Sequence, residues 1–194
     1  MTDVAPLAPS RTALLLMDIQ PAIVDGLPGA DALLDRLVRA RAAARAHGVQ
    51  VVHVRVALTE EDARVVPPAN RRFHQTATTR RLAVGDPATW IQPALGPADD
   101  EHVVRKVRVG AFSTTGLDAW LRAHDIDTLV LTGVATSGVV LSTVRDAADK
   151  DYRLLVVADC CADRDDEVHR VLTQKVFPSQ ADVLGLDAFT ALLG

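Results

Sequence analysis

The stretch DTLVLTGVATSGVVLSTVRDAAD, Asp127 to Asp149, decides the fold. Leu129, Val130 and Leu131 follow one another without polar alternation, as in a strand buried on both faces of a parallel sheet. Thr132 and Gly133 end that strand. From Ser137 onward Val139, Val140, Thr143, Val144, Ala147 and Ala148 recur at helical spacing, which predicts a helix starting just past Gly138. Strand, tight turn and helix make a βα unit. In an open parallel sheet, ligands bind where such turns cluster, at the carboxyl ends of the strands. The free N–H groups of the first helical turn favour negative charge there.

Working outward, Thr12 to Met17 (TALLLM) reads as a fully apolar strand with Asp18 directly after it. An acid is almost never fully buried unpaired, so this carboxylate is expected to face the crevice. Between Ala30 and His47 a stripe of Leu33, Leu34, Leu37, Val38, Ala42 and Ala46 predicts a helix, which Gly48 stops. Gln50 to Val56 is the second strand, and His102 to Arg105 the third, delivering Lys106. Ser113 or Thr114 is placed to cap a helix containing Leu117, Trp120 and Leu121. A strand from Arg153 to Ala158, a helix from about Asp165 through Lys175, a strand near Ala181 to Leu184 and a short helix from Asp187 complete the chain.

The 194 residues fit one domain, and the 48% hydrophobic and 24% charged fractions are ordinary for a globular protein. A formal charge of −4 offers nothing to nucleic acid. No apolar run reaches the roughly 20 residues that span a bilayer. MTDVAPLAPS, residues 1–10, lacks the basic and apolar regions of a signal peptide and reads as a flexible lead-in, so a cytoplasmic location is expected. Cys160 and Cys161 are adjacent at a strand end, where they cannot bridge each other without strain. The plainer reading is that they fill space; the other is that one is a nucleophile on the site's edge of the sheet.

Three motifs in register carry a resemblance, LLLMDIQPAIV (14–24), VVRKVRVGAFSTTGLDAWL (103–121) and TGVATSGVVLSTVRDA (132–147), with VVADCCAD (156–163) downstream. Together they resemble the isochorismatase-like hydrolases, the cysteine hydrolase superfamily, and span nearly the whole chain. The resemblance implies a single α/β domain over 1–194, a three-layer sandwich around a mostly parallel six-stranded sheet. It implies that Asp18 is the general acid or base and Lys106 its partner lysine, against the plainer reading of a structural ion pair.

The same resemblance puts the family's nucleophilic cysteine at Val139, in a turn that family amidases write roughly G-V-x-T-x-x-C-V. A valine has no ionisable atom and cannot attack a carbonyl, so the usual thiol mechanism is excluded. A non-proline cis peptide is implied at Val134–Ala135, with the N–H groups of Ala135 and Val139 aimed at a substrate oxygen. Ser137 is the nearest hydroxyl, though a serine there is usually a cap; Ser142 lies deeper in the helix. Gly110 replaces the serine of the family's S-A-F element.

Residues 57–100 look irregular, and the family lays this region over the site as a lid. It offers Arg71, Arg72, Phe73, His74, Arg80, Arg81 and Trp90. Arginines can clamp a carboxylate and an aromatic ring can stack on a ligand; the bland alternative is a solvated loop. Arg72, Phe73 and Trp90 are the substrate-binding candidates. Some related amidases hold a metal after the second strand, but His53 is alone there, so neither metal nor cofactor is expected. The expected partner is a small-molecule substrate, and the expected state a homo-oligomer, a dimer or larger. Three functions remain open: vinyl-ether hydrolysis with Asp18 as acid, slow water-using amide hydrolysis, or a non-catalytic binding or assembly role.

Overall fold

The computed structural model describes residues 4–194. Six strands, β1 (Thr12–Met17), β2 (Gln50–Val56), β3 (His102–Lys106), β4 (Thr128–Val134), β5 (Arg153–Ala162) and β6 (Asp182–Leu184), form one sheet in the order β3-β2-β1-β4-β5-β6. Every pairing is parallel, so the sheet is wholly rather than mostly so. Among the described residues eight α-helices accompany it: α1 (Pro21–Val24), α2 (Ala30–Ala46), α3 (Glu60–Arg64), α4 (Arg71–Thr78), α5 (Leu117–Ala123), α6 (Leu141–Ala148), α7 (Asp166–Val171) and α8 (Leu186–Ala191). No helix among the described residues is long and apolar enough to cross a membrane.

The period of two along each strand builds two cores from one sheet. Ala13, Leu15 and Met17 of β1 pack with Leu117, Leu121, Val144 and Ala147 on the α5–α6 side. Leu14 and Leu16 pack with Leu33, Leu37 and Phe189 on the α2–α8 side. Each of the leucine, valine, methionine and phenylalanine side chains, fully buried, contributes roughly 1.5–3 kcal/mol, and the three layers follow. Strand order reverses about β1 and β4, which places the ligand crevice at their carboxyl ends.

Gly133 makes this close packing possible. Its φ is +140°, and a Cβ there would lie 2.4 Å from the Met17 carbonyl oxygen on β1. Only glycine lets β4 lie so near the strand that carries Asp18.

Several expectations need correction. Residues 1–3 of the lead-in lie outside the described residues, and the rest is docked: Leu7 is buried in the α2–α8 core and its N–H donates to Leu192 O. On α2 the buried positions are Leu33, Leu37, Ala40 and Ala44, whereas Val38 is exposed, as are Ala42 and Ala46. A 3.6-residue turn carries the stripe from Leu37 to Ala40 rather than onto Val38. The hydroxyl at the start of α5 is that of Thr115, which accepts from the Leu117 N–H; Thr114 instead accepts from the Val107 N–H. Strand β5 runs on to Ala162, so both cysteines lie within it and point to opposite cores.

The 57–100 region holds α3 and α4 and is less irregular than it reads. A reciprocal cap joins Thr59 and Asp62 at the start of α3, and Asn70 accepts from the Phe73 N–H at the start of α4.

Candidate active site

Asp18 follows β1 in a left-handed turn, φ 58°, a conformation that aspartate tolerates better than most residues. Its N–H donates to Val54 O and its carbonyl accepts from the Gln20 N–H. Gln20 is fully buried and fastens the turn to β2, donating to Val56 O and accepting from the Val56 N–H. The side chain cannot turn away from the sheet edge.

Lys106 reaches the same point from the end of β3, two strands away. Its ammonium donates to Asp18 Oδ2 at 2.9 Å, Arg108 O at 3.0 Å and Val109 O at 2.9 Å. An ammonium has three donors, so this lysine has none left for a ligand. It holds and charges the carboxyl. Asp18 Oδ1 has no hydrogen-bond partner among the described residues, although it is buried. Burial raises the Asp18 pKa to about 6, against the lowering effects of the Lys106 charge and hydrogen bond and the Arg72 charge. Burial likewise lowers that of Lys106, opposed by Asp18.

A cavity of about 400 Å³ opens onto this pair. Ala135 and Val139 of the turn after β4 line it, as do Arg72 and Phe73 of α4. The Val134–Ala135 peptide is cis, as the resemblance implies. Phe73 is also buried against Val56, Leu58 and Val66, which anchors α4 over the site. The structure does not bring Trp90 here: it is 56% exposed, outside the cavity lining, because the 3₁₀ turn of Pro87–Thr89 buries Thr89 and turns the indole outward.

The turn after β4 is irregular, with Gly138 at non-helical angles before α6 begins. Ser137 lines the cavity, and its N–H donates to Asp163 Oδ2 at 2.7 Å. Ser142 lies in a separate groove with Gly110 and Asp146. At Gly110 a Cβ would meet Asp146 Oδ2 at 3.2 Å, so the loop does approach α6 closely.

No cysteine lines the cavity. Cys160 and Cys161 are buried in the sheet, where desolvation pushes the Cys160 thiol up to about 12 and raises that of Cys161 as well. Neither sulfur reaches the cavity. His53 is a core residue that meets Glu101 at 2.9 Å.

Reading the sequence missed Asp163, Arg164 and the Thr136–His169 hydrogen bond, 2.8 Å, that ties the turn to α7. The signal for Asp163 was available: it follows an apolar strand at the carboxyl edge, as Asp18 does.

A parallel α/β sheet holding an acid–lysine pair beside an irregular turn at its switch point is the arrangement that the isochorismatase-like resemblance implies. The isochorismatase domain matches residues 12–188. An N-carbamoylsarcosine amidase from an Arthrobacter species is 30% identical over 160 residues, which are 80% of this chain but 61% of that enzyme. A ureidoacrylate amidohydrolase, RutB, from Methylobacterium radiotolerans is 30% identical over 97% of this chain and 81% of its own length. A cysteine hydrolase structure from Pseudomonas syringae pv. phaseolicola superposes with a TM-score of 0.90 at 23% identity, covering 100% of this chain and 98% of that one. The chain belongs to the isochorismatase family of hydrolases.

Proposed function

We propose that this chain hydrolyses a small molecule without a cysteine nucleophile, Asp18 moving the proton, and that its favoured reaction is vinyl-ether cleavage. One observation carries the reading: the orphaned Asp18 Oδ1 is buried at a cavity where Val139 stands and no thiol does. A protonated Asp18 donates from Oδ1 to the terminal carbon of the vinyl ether. The resulting oxocarbenium ion takes up water, loses a proton to the carboxylate, and collapses to a ketone and an alcohol. Lys106 steadies the carboxylate between the two transfers. The N–H groups of Ala135 and Val139 are assigned to a substrate oxygen.

The amidohydrolase names of the relatives support a second reading, in which Asp18 activates water towards an amide. The pH profile separates them. With Asp18 at about 6, an acid-dependent reaction loses kcat as pH rises through that value, whereas a base-dependent one gains it. Mass spectrometry of products from isochorismate and small amides, with Asp18→Ala beside the wild type, is the test. Loss of roughly 10²–10⁴-fold in the mutant is expected. Turnover that survives Asp18→Ala overturns the assignment; absence of any turnover favours a binding role. A cytoplasmic location and an assembly of two or more copies belong to the same proposal, and fractionation and light scattering test them.

A further inference from the structure

The turn that carries the Ala135 and Val139 N–H groups is not held by a helix of its own. Gly138 leaves helical angles there, and Ala135 O accepts from the Gly138 and Val140 N–H groups at 3.0 and 3.3 Å, skipping that of Val139. A regular ladder fixes each N–H in succession, whereas an interrupted one leaves that to contacts outside it. Two side chains that follow β5 make such contacts. Asp163 accepts from the Ser137 N–H at 2.7 Å, and His169 of α7 meets the Thr136 hydroxyl through Nδ1 at 2.8 Å.

The second contact carries its hydrogen in one direction. Thr136 is fully buried, and among the described residues His169 is the one partner of its hydroxyl. The hydroxyl hydrogen therefore goes to Nδ1, and the neutral ring carries its own on Nε2. Nε2 has no partner among the described residues and is not buried, so solvent reaches it. A second proton must land on Nδ1, the nitrogen that holds Thr136. The imidazolium would then donate to Oγ1, leaving the hydroxyl hydrogen buried without an acceptor, which is costly. The ring is not free to move aside instead. Asp165 caps α7, accepting from the Glu167 and Val168 N–H groups, and the His169 N–H donates to Asp165 O at 3.0 Å.

We infer that His169 is a positioning residue for this site: its neutral ring, taking the Thr136 hydrogen, holds the turn from Ala135 to Val139 in the form that receives a substrate oxygen, and protonation of the ring releases that turn. Neither His169 nor Thr136 lines the cavity, so the effect passes through the backbone. Asp163 and Asp166 are the charged groups facing the ring; residues 136–140 of the turn add none, and Glu167 and Arg170 on the same helix pair with each other. Burial lowers the His169 pKa against the pull of those two carboxylates, so the neutral ring is the form present at pH 7. The inference rests on the hydrolase reading for its effect on rate, but not for the coupling of ring and turn.

Nitrogen-15 NMR of the full chain from about pH 5 to 8 tests the coupling. Asp18 titrates at about 6 beside the same turn, so the spectra are taken in Asp18→Asn; the difference between wild type and His169→Asn gives the same quantity with Asp18 in place. The neutral ring is expected as the Nε2–H tautomer, and the Ser137 to Val139 amide signals are expected to titrate with it at one midpoint, below 6.5. In His169→Asn, whose Oδ1 accepts in place of Nδ1 but takes up no proton, that titration should vanish. An Nδ1–H tautomer, amides that still titrate in His169→Asn, or amides that keep their full shift in Thr136→Val overturns the proposal. At pH 7 His169→Ala is expected to lower kcat roughly 10–100-fold with little change in KM, and His169→Asn to restore most of that loss. Equal loss in both variants, or a loss carried by KM, also overturns it. Coupled amides in a protein that turns nothing over would sink the hydrolase reading and leave this one standing.

Discussion

Lys106 and Asp18 set each other's charge. The lysine spends all three donors on Asp18, Arg108 and Val109, so its removal strips the carboxyl of its counter-ion and leaves desolvation unopposed. In Lys106→Met the Asp18 pKa rises above about 6, and the limb of the pH–rate profile that it governs moves to higher pH. Breaking a buried pair costs roughly 3–5 kcal/mol at neutral pH. The cost should shrink near pH 5, where Asp18 protonates; denaturant titration at both values measures it. Val139 answers a different question. If it occupies the family's nucleophile position, Val139→Cys should hydrolyse small amides faster than the wild type, and iodoacetamide should abolish that gain alone. An unchanged amide rate removes the assignment. Asp18 was legible as a charge set against an apolar strand, and Lys106 through the resemblance that its motif carries. Arg164 was not, since one arginine after a strand looks like any solvated residue until the fold closes a cavity beside it.

At the scale of elements, the contact between β1 and β4 controls where the acid sits. Gly133→Ala places a Cβ 2.4 Å from the Met17 carbonyl oxygen, on backbone that cannot move without parting the two central strands. A loss on the order of 3–5 kcal/mol is expected, with kcat falling in whatever folded fraction remains. Gly110→Ser is the contrast: its Cβ meets the Asp146 carboxylate at 3.2 Å, a side chain that can give way, so less than about 1 kcal/mol should be lost. Thermal unfolding of the two mutants compares them directly. The strands were readable because apolar runs bounded by glycine have few alternatives. Helices α3 and α4 were not, because prolines, threonines and glycines scattered through 57–100 leave no long apolar period for two such short helices. Their signals are local caps, Thr59 with Asp62 and Asn70 with the Phe73 N–H, which composition does not reveal.

Across the whole molecule, acid works on opposite ends of the sheet with opposite signs. Away from the cavity, Glu101 joins β3 to α2: burial resists its ionisation, but hydrogen bonds from Arg41, the Ala98 N–H, His53 and Arg45 outweigh this and hold it at about 2. A depressed carboxylate contributes stability that is present above its unfolded pKa, 4.5, and lost as pH falls towards about 2. Burial lowers the His53 pKa as well, so its contribution begins to fail below 6.5. Asp18, raised from 3.8 to about 6, gains stability on acidification over that interval instead. Urea midpoints are therefore expected to change little between pH 6.5 and 5 and to fall steeply below 4.5. In Glu101→Gln the protein should be less stable at pH 7 and lose the steep acid limb; a limb of unchanged slope rules Glu101 out as its source.

Both cysteines lie within the sheet, facing opposite cores, and neither touches the cavity. Peroxide and electrophiles therefore meet no sulfur where the substrate sits. On the proposed mechanism, pretreatment with peroxide or iodoacetamide is expected to leave turnover unchanged, and inactivation by either reagent would count against it.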